Sequence, residues 1–250
     1  MKEVKNGLQW GDSREILVFL HYFGGSSASW QWVAEALSDD YRCIALNLPG
    51  FGGTTALPEP TIKEMAEEVL LTLAQLGISS YTLIGHSMGG KIAVQVAAAA
   101  NAGAVKQLIL LAPSPPTIER MPAAEKQRML RHPNAAVAEK TVQQATIASL
   151  TTQQHTLAVD TQLCIDENTW RWWLLQGMNH SIEDQVPLIN FPITVLASKD
   201  DPAITFEMIQ QDVMPVLTTA NLITTADLGH LLPLEAPAWV AGQIRAAVAA

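Results

Sequence analysis

Ser87 stands between two glycines in "LIGHSMGGKIAV", residues 83–94, where an apolar run changes its period from that of a strand to that of a helix. A chain that leaves a strand and enters a helix within about two residues bends so sharply that side chains two positions before and after the bend would collide. Gly85 and Gly89 remove those side chains. The bend strains the serine backbone and lifts its Oγ above the sheet, and the N-terminus of the following helix offers positive potential to an oxyanion formed there. The pattern predicts a nucleophile at Ser87.

A serine hydroxyl attacks only when a base takes its proton, and a histidine in that role needs a carboxylate to fix its tautomer and stabilise the imidazolium. Six histidines are available. His230, in "LGHLLPLEAP", follows a strand candidate and falls in a loop on the side of the sheet that carries Ser87, so it is the predicted base. His86 is next to Ser87, and its side chain is expected to point the other way. His21 precedes a glycine-rich loop and reads as a hydrogen-bonding anchor for it. His132, His155 and His180 have no metal-ligand spacing and read as surface or core residues. For the acid, "VLASKDDPAIT" offers Asp200 and Asp201 at the end of the preceding strand, and the residues alone do not separate them. An oxyanion hole needs two backbone amides. "HYFGGSS" supplies a loop for one, so the predicted donors are Phe23 and Met88.

Parallel strands that end on one edge would position these groups. Six short apolar runs show little polar alternation, as strands buried on both faces should: 15–23, 41–49, 81–86, 105–113, 193–198 and 221–228. Helical spacing appears between them at 30–39, 61–77, 88–101, 203–217 and 234–250, with Thr61 and Glu64 as a capping box and Gly77 as a stop. Strand and helix in alternation predict a mostly parallel, doubly wound α/β sheet with helices on both faces. From Ser114 to about Pro187 no strand is convincing, and the text reads as short helices. Pro122 opens one and Pro133 closes it; Asn134 and Asp166 cap two more, and Ser181 and Asp184 begin a last turn. The expected organisation is a core of 1–113 and 188–250 with a helical cap, 114–187, over the carboxyl edge where such folds bind ligands.

The chain has 250 residues, 48% hydrophobic and 16% charged, with a net charge of −9. That composition is globular, and its acidity with no Lys/Arg cluster argues against nucleic acid and anionic membranes as partners. The start, "MKEVKNGLQWGD", has no secretory h-region and no apolar run is long enough to span a bilayer, so a cytoplasmic protein is expected. Cys43 and Cys164 match no metal or redox spacing and read as buried free thiols; no metal or organic cofactor is implied.

In order along the chain, "LHYFGGSSASW", "LNLPGFGGT", "IGHSMGGKIA", "ASKDDPAI" and "GHLLPLEAP" resemble the motifs of the α/β-hydrolase superfamily, over nearly the whole length. The resemblance implies Ser87 as nucleophile, His230 as base and an oxyanion hole from Phe23 and Met88. It also implies Asp201 as the acid, because the family carries a small residue and two spacers before its aspartate, here Ser198, Lys199 and Asp200. A serine at 87 sets the chain apart from the aspartate-based dehalogenase and epoxide hydrolase branches, and Gly24 from the perhydrolase-like one. Two departures stand out: Tyr22 replaces a common glycine in the oxyanion loop and brings a phenol toward the substrate, and Ser198 replaces the usual glycine before the acid. The short N-terminus implies that a first strand is missing or reduced.

The expected function is hydrolysis of a small carboxylic ester through an acyl-enzyme, with a small hydrophobic substrate. The alternatives are a lactonase or carbon–carbon bond hydrolase on the same triad, or a receptor-like binder of a small hydrophobic signal that keeps the triad. "TWRWWLL" has helix-face spacing, so Trp170 and Trp173 read first as packing residues and Trp172 or Trp173 second as pocket residues. Oligomeric state leaves no trace in the sequence.

Overall fold

Continuous β-branched and aliphatic runs form strands that hide both faces, and all six residues of Tyr81–His86 and of Ile193–Ser198 are buried. The computed structural model describes residues 1–249. They contain strands β1 (Lys2–Val4), β2 (Gly7–Trp10), β3 (Ile16–Leu20), β4 (Arg42–Leu46), β5 (Tyr81–His86), β6 (Val105–Leu111), β7 (Ile193–Ser198) and β8 (Asn221–Thr225). One sheet holds all eight in the order β1-β2-β4-β3-β5-β6-β7-β8. Every pairing from β4 to β8 is parallel, whereas β1 and β2 form an antiparallel hairpin added to the edge of β4. The N-terminal strands are thus present but reduced to three and four residues.

The core helices are α1 (Gln31–Leu37), α2 (Ile62–Gln75) and α3 (Met88–Ala99), with α10 (Pro237–Val248) near the C-terminus. α1 packs on α10 and α2 on α3. Thr61 caps α2 by accepting from Glu64 N, and the chain turns at Gly77 with φ of +69°. The predicted helix at 203–217 is a single turn, α8 (Phe206–Met208), that widens into a π-turn over Ile209–Val213. The last predicted helix is split: a short α9 (Leu232–Glu235) precedes α10, because Pro237 cannot donate a helical hydrogen bond and so opens a new helix.

Between β6 and β7 lie α4 (Ala123–Met129), α5 (Ala135–Ala145), α6 (Thr152–Leu163) and α7 (Glu167–Leu175), with two 3₁₀ turns. Asn134 and Asp166 accept from Val137 N and Thr169 N, as caps should, and Thr151 with Gln154 adds a capping box that opens α6. This helical segment is tied to loops at the sheet's carboxyl edge: Thr161 Oγ1 donates to Gly24 O at 2.8 Å, Asp166 N to Gly50 O at 2.9 Å and Gln154 Nε2 to Leu234 O at 2.8 Å. Cys43 is buried, but Cys164 is exposed, because it ends α6 at the surface and not within a packed face.

Candidate active site

Parallel pairing puts the ends of β3, β5, β7 and β8 on one edge, so the residues that follow them share that edge. Ser87 follows β5, Asp201 follows β7, His230 follows β8 and Phe23 follows β3.

Ser87 has φ of +54° and ψ of −120°, a conformation costly for a residue with a Cβ. Its surroundings hold it there: Ser87 N donates to Leu111 O at 3.0 Å, and Ser87 O accepts from Gly90 N at 2.8 Å and Ser114 N at 3.0 Å. The glycines beside it are required by contact. A Cβ on Gly89 would lie 2.4 Å from His21 O, and one on Gly85 would lie 2.5 Å from Gly89 O.

Ser87 Oγ–H donates to His230 Nε2 at 2.8 Å, and His230 Nδ1–H donates to Asp201 Oδ2 at 2.8 Å. The carboxylate can only accept, which assigns the proton to Nδ1 and leaves the Nε2 lone pair facing the serine. Asp201 is 3% exposed, and its other oxygen accepts from Ala203 N at 2.8 Å and Ile204 N at 3.0 Å. Asp200 faces another way. Its Oδ2 accepts from Asp227 N at 2.8 Å, securing the turn after β8. The hydroxyl of Ser198 donates to Leu228 O at 2.6 Å, which ties the end of β7 to the loop that leads to His230.

Burial alone would lower the proton affinity of the His230 imidazole, but the charge and hydrogen bond of Asp201, aided by Glu119 and Glu235, outweigh it and raise the pKa above 6.5. Its backbone is held as firmly as its ring. His230 N donates to Ala145 O at 2.7 Å, and His86 Nε2–H donates to His230 O at 2.8 Å. Glu235 accepts from Gly229 N at 2.8 Å and Leu231 N at 3.0 Å on either side of His230, and from Ile147 N and Ala148 N at 2.9 Å just after α5. One carboxylate therefore joins the histidine loop to the helical segment.

In the loop after β3, His21 Nδ1–H donates to Tyr22 O at 2.9 Å while its Nε2 accepts from Leu48 N at 3.2 Å. Burial lowers the His21 pKa to about 4 against a hydrogen bond to Tyr22 that raises it, so the ring stays neutral as those two bonds require. Phe23 N–H has no backbone or side-chain acceptor among the described residues, and Met88 N–H opens α3 where no intrahelical acceptor exists. The Phe23 ring is fixed against Trp170, with centroids 4.1 Å apart, and lies 6.2 Å from Trp173. Trp170 is a packing residue: it is 1% exposed, donates to Met129 O at 2.8 Å and stacks on His132 at 4.3 Å. Trp173 lines the cavity above Ser87; Trp172 does not. Tyr22 also lines it, as a ring buried against His86.

That cavity has a volume of about 430 Å³, and its walls include Ser87, His230 and Phe23 from the core and residues of α4, α5 and α6. Among the described residues no group of three or more His, Cys, Asp or Glu side chains is placed to hold a metal ion, and no helix is long and apolar enough to cross a membrane. His155 pairs with Glu139 at the surface and His132 Nε2–H donates to Ile165 O at 3.0 Å; both lie apart from the Ser87–His230–Asp201 chain. Three residues at the site went unread in the sequence: His86 as an anchor, Glu235 as a clamp and Glu119 as a cavity wall. His86 meets His230 across 144 residues, Glu235 reaches Ile147 and Ala148 across 88 and 87, and the lining role of Glu119 is set by the fold, so no local pattern marks these roles.

Residues 15–155 match the family model described as alpha/beta hydrolase fold. A 2-succinyl-6-hydroxy-2,4-cyclohexadiene-1-carboxylate synthase of Escherichia coli is 33% identical over 161 residues, 61% of this chain and 61% of that protein. Another strain's synthase matches at 37% over 102 residues, 41% of this chain and 38% of its own length, so the chain spans roughly two to three fifths of these curated relatives. Among solved structures, an esterase from Exiguobacterium antarcticum superposes with a TM-score of 0.87 at 17% identity, covering 97% of this chain and 94% of that one. An enol-lactonase from Burkholderia xenovorans superposes with a TM-score of 0.82 at 18% identity, covering 97% and 95%. At those identities the likeness is one of fold.

Proposed function

The chain belongs to the α/β-hydrolase fold family, and within it we propose a serine hydrolase that cleaves small, uncharged carboxylic esters through an acyl-enzyme. The observation that carries this reading is the continuous hydrogen-bond chain from Ser87 through His230 to Asp201, with Ser87 and His230 in the wall of a cavity. Ser87 Oγ attacks the ester carbonyl as His230 Nε2 takes its proton, and the new oxyanion receives hydrogen bonds from the Phe23 and Met88 amides. The intermediate collapses, the carbon–oxygen bond to the alcohol breaks, and His230 returns the proton to the leaving oxygen. Water then adds to the acyl carbon with His230 again as base, and collapse frees the acid and Ser87. Asp201 keeps the imidazole in the Nδ1–H tautomer and stabilises its cation. Residues 114–187 act in this scheme as a cap that closes the chamber over the nucleophile.

The synthase relatives suggest a second reading, their reaction on the same three residues. Their named product carries carboxylate groups, and binding such a substrate would call for cations in the cavity. Among the described residues Arg120 is the one Lys or Arg of the cavity wall, and it is paired with Asp212, while Glu125 is paired with Arg128, so no unpaired cation of the wall is left to hold a carboxylate. This balance favours a neutral ester.

The test is hydrolysis of p-nitrophenyl butyrate by the wild type and Ser87→Ala. The variant should lose activity by a factor on the order of 10⁴ or more while melting as the wild type does. Full activity in Ser87→Ala would overturn the reading.

A further inference from the structure

Glu119 lies between β6 and α4, pinned by its own amide, which donates to Met178 O at 2.8 Å. Its side chain lines the cavity that holds Ser87 and His230, yet the residue is only 9% exposed. Glu119 Oε2 is fully buried with the Ser114 hydroxyl beside it to donate, and no backbone or side-chain donor among the described residues reaches the other carboxyl oxygen. No ion pair satisfies the carboxyl either: the described ion pairs all involve other residues. It is unfavourable to leave that second oxygen of a largely buried carboxyl without a donor, and a ligand in the cavity can supply one.

The other polar side chains of the cavity are engaged or exposed. Gln162 donates to Ala158 O at 3.1 Å and Thr141 to Val137 O at 2.8 Å. Arg120 pairs with Asp212, Glu125 pairs with Arg128, and Gln144 is exposed. The Tyr22 hydroxyl is uncharged and, though no hydrogen bond reaches it, has those of Ser29 and Thr161 beside it. Glu119 is thus, among the described residues, the one carboxyl of the wall without an ion-pair partner, in a chamber lined by side chains such as Met121, Met129, Val142 and Trp173. The catalytic scheme leaves it unused, since Asp201 already serves His230.

The groups around Glu119 decide what it can receive. The Ser114 hydroxyl and His230 favour its charged form most, followed by the buried Lys91, whose Nζ–H donates to Thr117 O at 2.7 Å, and by Lys126. A second carboxylate would meet repulsion, and a full ammonium would add to cations already present. A neutral hydroxyl can donate to the carboxylate without changing that balance. Burial pushes the Glu119 carboxyl up, against the pull of Ser114, His230, Lys91 and Lys126, and a hydroxyl suits the protonated form as well because it can also accept.

We propose that Glu119 is a specificity-determining residue that accepts a hydrogen bond from a hydroxyl on the substrate, so that the cavity selects esters of hydroxylated acids or alcohols. The proposal rests on the ester-hydrolase reading and adds the substrate class.

Acid release under matched conditions compares two near-isosteric pairs on the wild type: methyl 3-hydroxybutyrate against methyl 3-methylbutyrate, and 2-hydroxyethyl butyrate against propyl butyrate. In one pair the hydroxylated ester should have the higher kcat/KM by about tenfold or more, about 1.4 kcal/mol. Glu119→Leu should bring that ratio to about one, and Glu119→Gln should narrow it, since an amide oxygen is a weaker acceptor than a carboxylate. Equal kcat/KM within both wild-type pairs would overturn the proposal while leaving ester hydrolysis intact, as would a preference that survives Glu119→Leu. Should Glu119→Leu fail to fold, the wild-type ratios and Glu119→Gln carry the test. No hydrolysis of any of the four esters, with no labelling of Ser87 by a fluorophosphonate, would instead sink the underlying reading and this proposal with it.

Discussion

His230 is under two opposing pressures: burial disfavours its charged form, and Asp201 favours it strongly enough to raise the pKa above 6.5. In the proposed scheme the base acts when neutral, so kcat/KM should climb with pH through that raised value. Asp201→Asn removes both the charge and the tautomer lock. Burial then dominates, the acid limb of the pH profile should move to lower pH, and kcat should fall on the order of 10⁴-fold. A pH–rate profile of the two proteins checks this; an unmoved limb would show that the aspartate does not act on the imidazole. The choice of aspartate also marks where residue types stop being informative. Asp200 and Asp201 are adjacent after one strand, and what separates them is tertiary: Asp201 is turned inward by the Ala203 and Ile204 amides, and Asp200 is taken by Asp227 N. Ser87 and His230 left stronger traces, because a glycine pair and a position after a strand are local features.

At the level of elements, the sharp turn from β5 into α3 and the loop after β8 have to meet, and Glu235 at the end of α9 fixes the second of these. Its carboxylate receives four backbone amides, two flanking His230 and two at the end of α5. Hydrogen bonds to a charged acceptor are among the stronger ones in a protein. Glu235→Ala should therefore loosen His230 and lower kcat by about 10- to 100-fold, the scale of a displacement of about 1 Å at a reacting group. Steady-state kinetics with the melting temperature as control would measure it; a lowered Tm with unchanged kcat would make the clamp purely structural. The parallel strands were legible because β5 and β7 are apolar on both faces. The helix predicted at 203–217 was not read correctly, since periodicity alone does not reveal a π-turn, and the short β1 and β2 were too brief for a pattern. His86 and Glu235 escaped for a different reason: their partners lie 144 and up to 88 residues away.

Over the whole molecule, a net charge of −9 surrounds a cavity whose one Lys or Arg among the described residues is already paired. Neutral esters should approach without electrostatic guidance, whereas anionic ones should be repelled. Raising the ionic strength from about 0.01 M to about 0.15 M shortens the screening length from about 30 Å to about 8 Å. It should leave kcat/KM for methyl butyrate nearly constant and increase it for monomethyl succinate. A fall with salt for the succinate would point to attraction of anions and favour a synthase-like substrate. The direct test of the central claim is the covalent state of Ser87 during turnover. Protein quenched in acid while hydrolysing p-nitrophenyl acetate and analysed by peptide mass spectrometry should carry one acetyl group on the peptide bearing Ser87, at that side chain. Sustained turnover with that peptide unmodified, or with the acetyl group on another residue of an equally active Ser87→Ala protein, would contradict the account.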